Sequence, residues 1–187
     1  MNNNPNMTTH HQPKLIFLNG FAGCGKTTLA KMYIDEHLLA LDIEGDELMP
    51  MLGQWKENWD AAANCKLALT ESMVVTHLRS GYDVVLPFLL VDAMHAETYE
   101  NIAHDTGAHF FEIMLSLTKE EAIGRLQKRG TWGEVGLPPL TERDLPDIEK
   151  LYDDMVTATS QRPNTINIYP KEGAIKETYK ALLAAVR

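Results

Sequence analysis

Cysteine and long apolar runs are both scarce in this sequence. Its 187 residues contain two cysteines, Cys24 and Cys65, which form neither a disulfide framework nor the paired spacing of a zinc site. We therefore expect the chain to work in a reducing compartment. No apolar run approaches the roughly 20 residues that span a bilayer, so we expect a cytoplasmic protein without a membrane segment.

Positive charge is also in short supply. Lysine and arginine total 17 against 26 aspartates and glutamates, which gives a formal net charge of −9. No basic cluster stands out, so the sequence argues against a large nucleic-acid interface. The apolar share of 44% is ordinary for a globular protein. We expect a small-molecule partner and a monomer or homodimer.

The most specific feature that is present is the run GFAGCGKTT at residues 20–28, which matches the phosphate-binding pattern G-x-x-x-x-G-K-[ST]. An apolar run at 14–18 precedes it and a helical pattern follows it, as the motif requires. Lys26 is expected on the β- and γ-phosphates, and the Thr27 hydroxyl on Mg²⁺. The predicted nucleotide-binding residues are Gly20, Ala22, Gly23, Cys24, Gly25, Lys26, Thr27 and Thr28.

Strand-like runs alternate with helical patterns along the rest of the chain. The predicted strands cover 14–18, 38–43, 82–86, 109–117 and 165–169, with the third stopped by Pro87. This alternation indicates an α/β fold with a parallel sheet covered by helices on both faces. Residues 1–13 are predicted to be a disordered lead-in and 14–187 a single domain, with a Gly/Pro-rich lid at about 130–146.

Acidic residues follow the second predicted strand, in the stretch Glu44-Gly45-Asp46. A carboxylate there would point into the crevice beside the phosphate loop. Phosphoryl transfer to a hydroxyl needs a group that orients the acceptor and takes its proton, and Asp46 is the candidate. Glu44 or Asp42 would assist with Mg²⁺ through water.

Two arginines precede the predicted lid. Arg125 and Arg129 stand at i and i+4, so they share one face of a helix that is predicted to begin with Thr118 as its N-cap. The planar guanidinium group binds phosphate and stacks on bases. Arg125 and Arg129 are therefore candidate site residues, whereas Arg143 in the lid is interpreted as a surface charge.

Together, the phosphate loop, the Glu-Gly-Asp turn and the Arg-x-x-x-Arg helix resemble those of the small P-loop kinases. That group includes gluconate, adenylylsulfate, shikimate and nucleoside-monophosphate kinases, antibiotic phosphotransferases and zeta-toxin-like enzymes. The resemblance implies a three-layer P-loop NTPase fold with strand order 2-3-1-4-5, and Mg-ATP as donor. It also implies that Asp46 contacts the acceptor or Mg²⁺, that Arg125 stacks on adenine and that Arg129 clamps phosphate.

The third predicted strand departs from this family, because it ends in Leu86-Pro87-Phe88 without the acid that many P-loop proteins place there. Pro87 and Phe88, with Trp55 and Trp59, would give an apolar acceptor pocket. The hypothesis is an ATP-dependent kinase acting on a hydroxyl of a sugar, a nucleoside or nucleotide, or an antibiotic. The alternatives are a non-catalytic nucleotide sensor and a polynucleotide or sugar-nucleotide kinase.

Overall fold

A computed structural model describes residues 12–132 and 138–187 of the protein. Strands and helices alternate along the chain, with two short 3₁₀ turns at Met49–Met51 and Glu142–Asp144. The strands are β1 (Lys14–Gly20), β2 (Leu41–Asp42), β3 (Val84–Phe88), β4 (His109–Leu115) and β5 (Ile166–Ile168). The helices are α1 (Lys26–Glu36), α2 (Gly45–Leu48), α3 (Trp59–Arg79), α4 (Ala93–Thr106), α5 (Lys119–Arg129), α6 (Leu145–Ser160) and α7 (Ile175–Ala185).

The five strands form one parallel sheet in the order β2-β3-β1-β4-β5. This confirms the predicted α/β fold and the strand order that the family resemblance implies. β1 lies at the centre, paired with β3 on one side and β4 on the other. Its run from Leu15 to Leu18 is fully buried, as expected for a strand covered on both faces.

Alternating side chains of β1 supply the cores of the two outer layers. Ile16 and Leu18 pack against α1 and α7, in a cluster that includes Leu29, Tyr33 and Leu182. On the other face, Leu15 and Phe17 pack against α3 and α4, with Val74, Leu78 and Tyr99. A third cluster joins Phe21, directly after β1, to Leu126 of α5 and Met155 of α6. The sheet is therefore covered on both faces, and the phosphate loop lies at its carboxyl edge.

The second strand is shorter than the predicted run 38–43. Leu38 and Leu39 are exposed, and Leu39 takes a positive φ of 52° in the turn after α1. The amide of Ala40 closes that turn by donating to His37 O at 3.1 Å. The apolar composition therefore predicted a strand that is too long. The first residues of the predicted run belong to the turn that follows α1.

The third strand has the predicted length but lies two residues later in the chain, since Pro87 is inside it and pairs with Leu18 of β1. Asp83 O and Val85 O accept bonds from the β2 side, and in a parallel strand Pro87 faces the same side. β2 ends at Asp42, which pairs with Val85, so the paired part of β2 ends before it reaches Pro87. Proline therefore costs no ladder hydrogen bond here, and the expectation that it stops the strand was wrong.

The start of α5 was predicted from its sequence, and the structure confirms it. The Thr118 hydroxyl accepts from Glu121 N, Thr118 N donates to the Glu121 carboxylate, and Gly130 ends the helix in the left-handed region.

Of the predicted lid, residues 133–137 lie outside the described ranges. So do residues 1–11 of the predicted lead-in, whereas Gln12 and Pro13 bond to Gly107 and His109. Within the described part of the chain, no helix has the length and apolar character to cross a bilayer.

Candidate active site

The phosphate loop connects β1 to α1 and presents free backbone donors at its end. Gly23 and Gly25 have φ values of 80° and 105°, which favour glycine. α1 begins at Lys26, and its first turn carries no acidic residue and no side-chain cap. The unpaired N–H groups and the positive end of the helix dipole are therefore available to an anion.

Gly20 is required because of the close packing of the loop. A Cβ added at this position would lie 2.6 Å from Cys24 Sγ and 3.1 Å from Leu115 O. Cys24 itself is 3% exposed, with its side chain against the sheet core. The thiol therefore supports the loop from within, and the Cys24 backbone is the part that a nucleotide would meet.

Lys26 folds back onto the loop that carries it. Its Nζ donates to Gly20 O at 2.6 Å and to Phe21 O at 3.1 Å. The ammonium group therefore lies at the mouth of the loop, where phosphate oxygens would compete with these two carbonyls. Thr27 and Thr28 follow on the first turn of α1 and are exposed.

A cleft of about 260 Å³ opens beside the phosphate loop. Gly23–Gly25 form one wall, and the opposite wall is the turn between β5 and α7, with Pro170 and Gly173. Arg125 lines the cleft from α5, and its Nη2 donates to Pro170 O at 3.3 Å. The 170–173 turn was not among the predicted site residues. The sequence indicates a turn here only through the residues Pro-Lys-Glu-Gly after the last strand. In the structure, Gly173 has a φ of 75°.

Asp46 lies in the first turn of the short helix α2, and its carboxylate is already paired. Lys66 Nζ of α3 is 3.0 Å from Asp46 Oδ1, and the Asp46 side chain is 60% exposed. The structure thus places the candidate base at the carboxyl end of β2, as predicted. Its ion pair with Lys66 was not predicted.

Two further acids on this segment are less accessible. Asp42 Oδ1 and Glu44 Oε1 are buried and have no hydrogen-bond partner among the described residues. Burial, followed by the charge of Glu44, raises the pKa of Asp42 from 3.8 to about 7, while Lys31 of α1 opposes the shift. Asp42 therefore lies close enough to α1 for the charge of Lys31 to act on it.

Magnesium chemistry fits these residues. The Thr27 hydroxyl is exposed on the first turn of α1, and unpartnered carboxylate oxygens such as Glu44 Oε1 accept bonds from metal-bound water. No group of three or more His, Cys, Asp or Glu residues in the described ranges forms a metal site of its own. The residues therefore suit an ion held by substrate phosphates and waters, with few direct protein ligands.

The two lid-side arginines are placed differently. Arg129 ends α5 on the exposed side, and its Nη2 donates to the carbonyl of Trp132 at the start of the lid. Arg143 is exposed in the second 3₁₀ turn, where its backbone N–H donates to Thr141 Oγ1. Arg125 is thus the arginine that the structure brings to the cleft, while Arg129 contacts the lid backbone.

The predicted apolar acceptor pocket is divided between two clusters. Phe88 stacks with Phe17 and Tyr99 beneath α4, with ring centroids 5.1 and 6.0 Å apart. Trp55 is 8% exposed and packs with Met49 and other residues at the start of α3. The two aromatic groups therefore belong to different cores.

Comparison with known proteins agrees with this architecture. A family model described as AAA domain (AAA_33) matches residues 15–139. A search of curated protein sequences gives no match. Among solved structures, the chain resembles the APS kinase CysC of Mycobacterium tuberculosis, solved with AMPPNP and APS. Identity is 18%, the TM-score is 0.60, and coverage is 93% of this chain and 97% of that one.

A gluconokinase from Sinorhizobium meliloti 1021 is similar at 15% identity and a TM-score of 0.60, with 94% of this chain and 93% of that chain covered. A chain of the Pnkp1/Rnl/Hen1 RNA repair complex matches at 18% identity and a TM-score of 0.61, over 89% of this chain. This protein spans about half of that longer chain, 52% of its length. At these identities the likeness concerns the fold. The family match and the strand order together show that the chain belongs to the AAA domain family of P-loop NTPases, with the fold of the small P-loop kinases.

Proposed function

We propose that the protein is an ATP-dependent kinase that transfers the γ-phosphoryl group to a hydroxyl of a small molecule. The observation that carries this proposal is the continuity of the phosphate loop with the cleft beside it. Gly23–Gly25 belong to both, so phosphates on the loop and a base against Arg125 would occupy one surface. The kinase-like structural neighbours support the same reaction class.

The donor side of the reaction is assigned to the loop and α5. Lys26 leaves the carbonyls of Gly20 and Phe21 and stabilises charge on the transferred phosphoryl group. Arg129 joins it from the lid side, and Arg125 covers the base. Thr27 would hold Mg²⁺ directly and Glu44 or Asp42 would hold it through water, with Asp46 as a further candidate ligand; the ion would supply positive charge beside the β- and γ-phosphates.

The acceptor side is assigned to the end of β2. Asp46 orients the acceptor hydroxyl and takes its proton. Its exposed carboxylate has room for an acceptor, because Lys66 contacts only one of its two oxygens. The acceptor is a small molecule without a requirement for nucleic acid, because the net charge of −9 disfavours a polyanion.

A screen of ATP consumption across sugars, nucleosides, nucleotides and antibiotics tests this proposal, with hydrolysis to water subtracted. Lys26→Ala is expected to reduce transfer by about 100-fold or more, the scale seen when one donor to a transition-state charge is removed. Lys180→Ala, which removes an exposed lysine of α7, is the matched control and should leave the rate unchanged. Unchanged transfer in Lys26→Ala would refute the mechanism.

A non-catalytic nucleotide sensor is the second candidate, and the ion pair of Asp46 with Lys66 favours it. A sensor binds ATP but phosphorylates no acceptor in the screen. Replacing Asp46 by asparagine would then leave nucleotide binding and ATP consumption as they are. A kinase in which Asp46 is the base loses acceptor-dependent ATP consumption in the same variant, so Asp46→Asn separates the two functions.

A further inference from the structure

Asn19 is a fully buried polar residue in an otherwise apolar strand. It stands between Leu18 and Gly20 at the end of β1, with 0% exposure. Its Oδ1 accepts from Gly20 N at 2.7 Å and from Leu90 N at 3.0 Å. Its Nδ2 donates to Thr159 Oγ1 of α6 at 3.2 Å. One side chain thus joins the phosphate loop, the segment after β3 and helix α6.

The neighbouring hydroxyl determines which way the Asn19 amide points. Thr159 Oγ1 donates its proton to Met155 O at 2.8 Å. It can therefore only accept from Asn19, which places the nitrogen toward α6 and leaves the oxygen for the two backbone amides. In each of the three bonds, a donor meets an acceptor. These bonds offset the cost of burying the Asn19 amide, which would be high without partners.

The strand order gives these bonds a functional setting. β3 lies between β2, which leads to Asp46, and β1, which leads to the phosphate loop. The segment 89–91 therefore leaves the sheet between the candidate base and the donor phosphates. Leu89 packs in the same cluster as Phe21, and Leu90 is buried beneath α4. At Leu90, the Asn19 oxygen joins this segment to the first peptide of the phosphate loop.

We propose that Asn19 is a positioning residue that fixes the segment 89–91 relative to the phosphate loop, so that the acceptor and the γ-phosphate stay in line. It touches neither substrate. It acts through the backbone amides of Gly20 and Leu90, which both donate to the Asn19 Oδ1 atom. A loop that closes on phosphate then also restrains the segment after β3. This inference rests on the proposed kinase function.

Hydrogen exchange measured with AMPPNP and Mg²⁺ on the full chain tests the link without an identified acceptor. In the wild type, the nucleotide is expected to slow exchange in peptides covering 22–28 and 88–92, each by about tenfold. In Asn19→Leu, which removes the shared oxygen at similar volume, slowing should persist at 22–28 and be lost at 88–92. Asn19→Ala takes its place if the leucine variant does not fold.

The matched control is Thr159→Val, which removes the bond from Asn19 to α6 and the bond from Thr159 to Met155 O, leaves the Asn19 oxygen in place, and should keep slowing in both peptides. Slowing at 88–92 that survives in the Asn19 variants, or that is absent from the wild type, overturns the inference. A wild type that shows no slowing at 22–28 refutes nucleotide binding, and therefore the proposed function itself. Peptide 88–92 therefore tests the inference about Asn19, and peptide 22–28 tests the proposed function.

Discussion

Replacing Asp42 by asparagine is predicted to change how stability depends on pH. The folded protein raises the pKa of this carboxyl from 3.8 to about 7, chiefly through burial and then through the charge of Glu44. Between these two pH values the native state holds a proton that the unfolded chain has released. The free energy of unfolding therefore falls as pH rises from about 4 to 7 and levels off above that range.

The size of this effect follows from the shift. About three pKa units at 1.36 kcal/mol each give an upper limit of about 4 kcal/mol. Because Asp42 is not fully buried, solvent screening reduces this limit, and we expect about 2 kcal/mol at pH 8. An asparagine stays neutral at every pH, and its NH₂ group can donate to a neighbouring buried oxygen such as Glu44 Oε1.

Urea unfolding of the wild type and Asp42→Asn at several pH values between 4 and 8.5 measures the difference directly. The variant should gain stability over the wild type as pH rises, with the gain complete just above pH 7. Asp35→Asn, at an exposed carboxylate of α1, controls for the loss of a surface charge. Lys31→Gln should move the end of the window to higher pH. A stability difference that stays constant with pH would refute the reasoning.

Three further variants test other parts of the structure. Arg162→Met removes the bond to the 4%-exposed Glu112 carboxylate at 2.8 Å, and urea unfolding should show a loss of about 3 kcal/mol. Gly20→Ala places a Cβ 2.6 Å from Cys24 Sγ, and calorimetric titration should show AMPPNP affinity reduced by more than about tenfold. Thr118→Ala breaks the capping box of α5 and should lower the thermal midpoint, at a cost of about 1 kcal/mol.

Two of these variants, Arg162→Met and Gly20→Ala, have a control in the same chain. The pair Lys128–Glu172 is exposed on both sides, so Lys128→Met should leave stability unchanged, unlike Arg162→Met. Apart from its chain neighbours, Gly53 has no heavy atom of the described residues within 4 Å of an added Cβ, so Gly53→Ala should bind AMPPNP normally. If the control and the test variant behave alike in either pair, the packing or burial argument for that site is wrong.

The parts of the structure predicted well are those encoded by neighbouring residues. The phosphate loop is a contiguous motif, and the Thr118 capping box and the Gly130 end of α5 follow from residues within a few positions of one another. The errors lie where tertiary context decides. Pro87 is tolerated because β2 happens to end before it, and Leu38 and Leu39 are taken by a turn. No local pattern contains either fact.

The candidate site divides in the same way. The donor side is one stretch of sequence, whereas the cleft wall at Pro170–Gly173 comes from a segment almost 150 residues later in the chain. The pairing of Asp46 with Lys66 and the burial of Asp42 also depend on how α3 and α1 pack. Sequence reasoning could name these acids as candidates, but the burial that raises the pKa of Asp42 and the pairing of Asp46 with Lys66 come from the packing of the folded chain.

Asn19 shows that a contact between segments distant in sequence can still be predicted from a short stretch of the sequence. A single amide within the run Leu-Ile-Phe-Leu-Asn-Gly must be buried if the run is a central strand, and a buried amide requires partners for its donors and its acceptor. At the end of a parallel strand, one source of such partners is the loop that leaves the carboxyl end of a neighbouring strand. A polar residue just before a phosphate loop therefore predicts a contact with the adjacent loop, and Leu90 N provides it here.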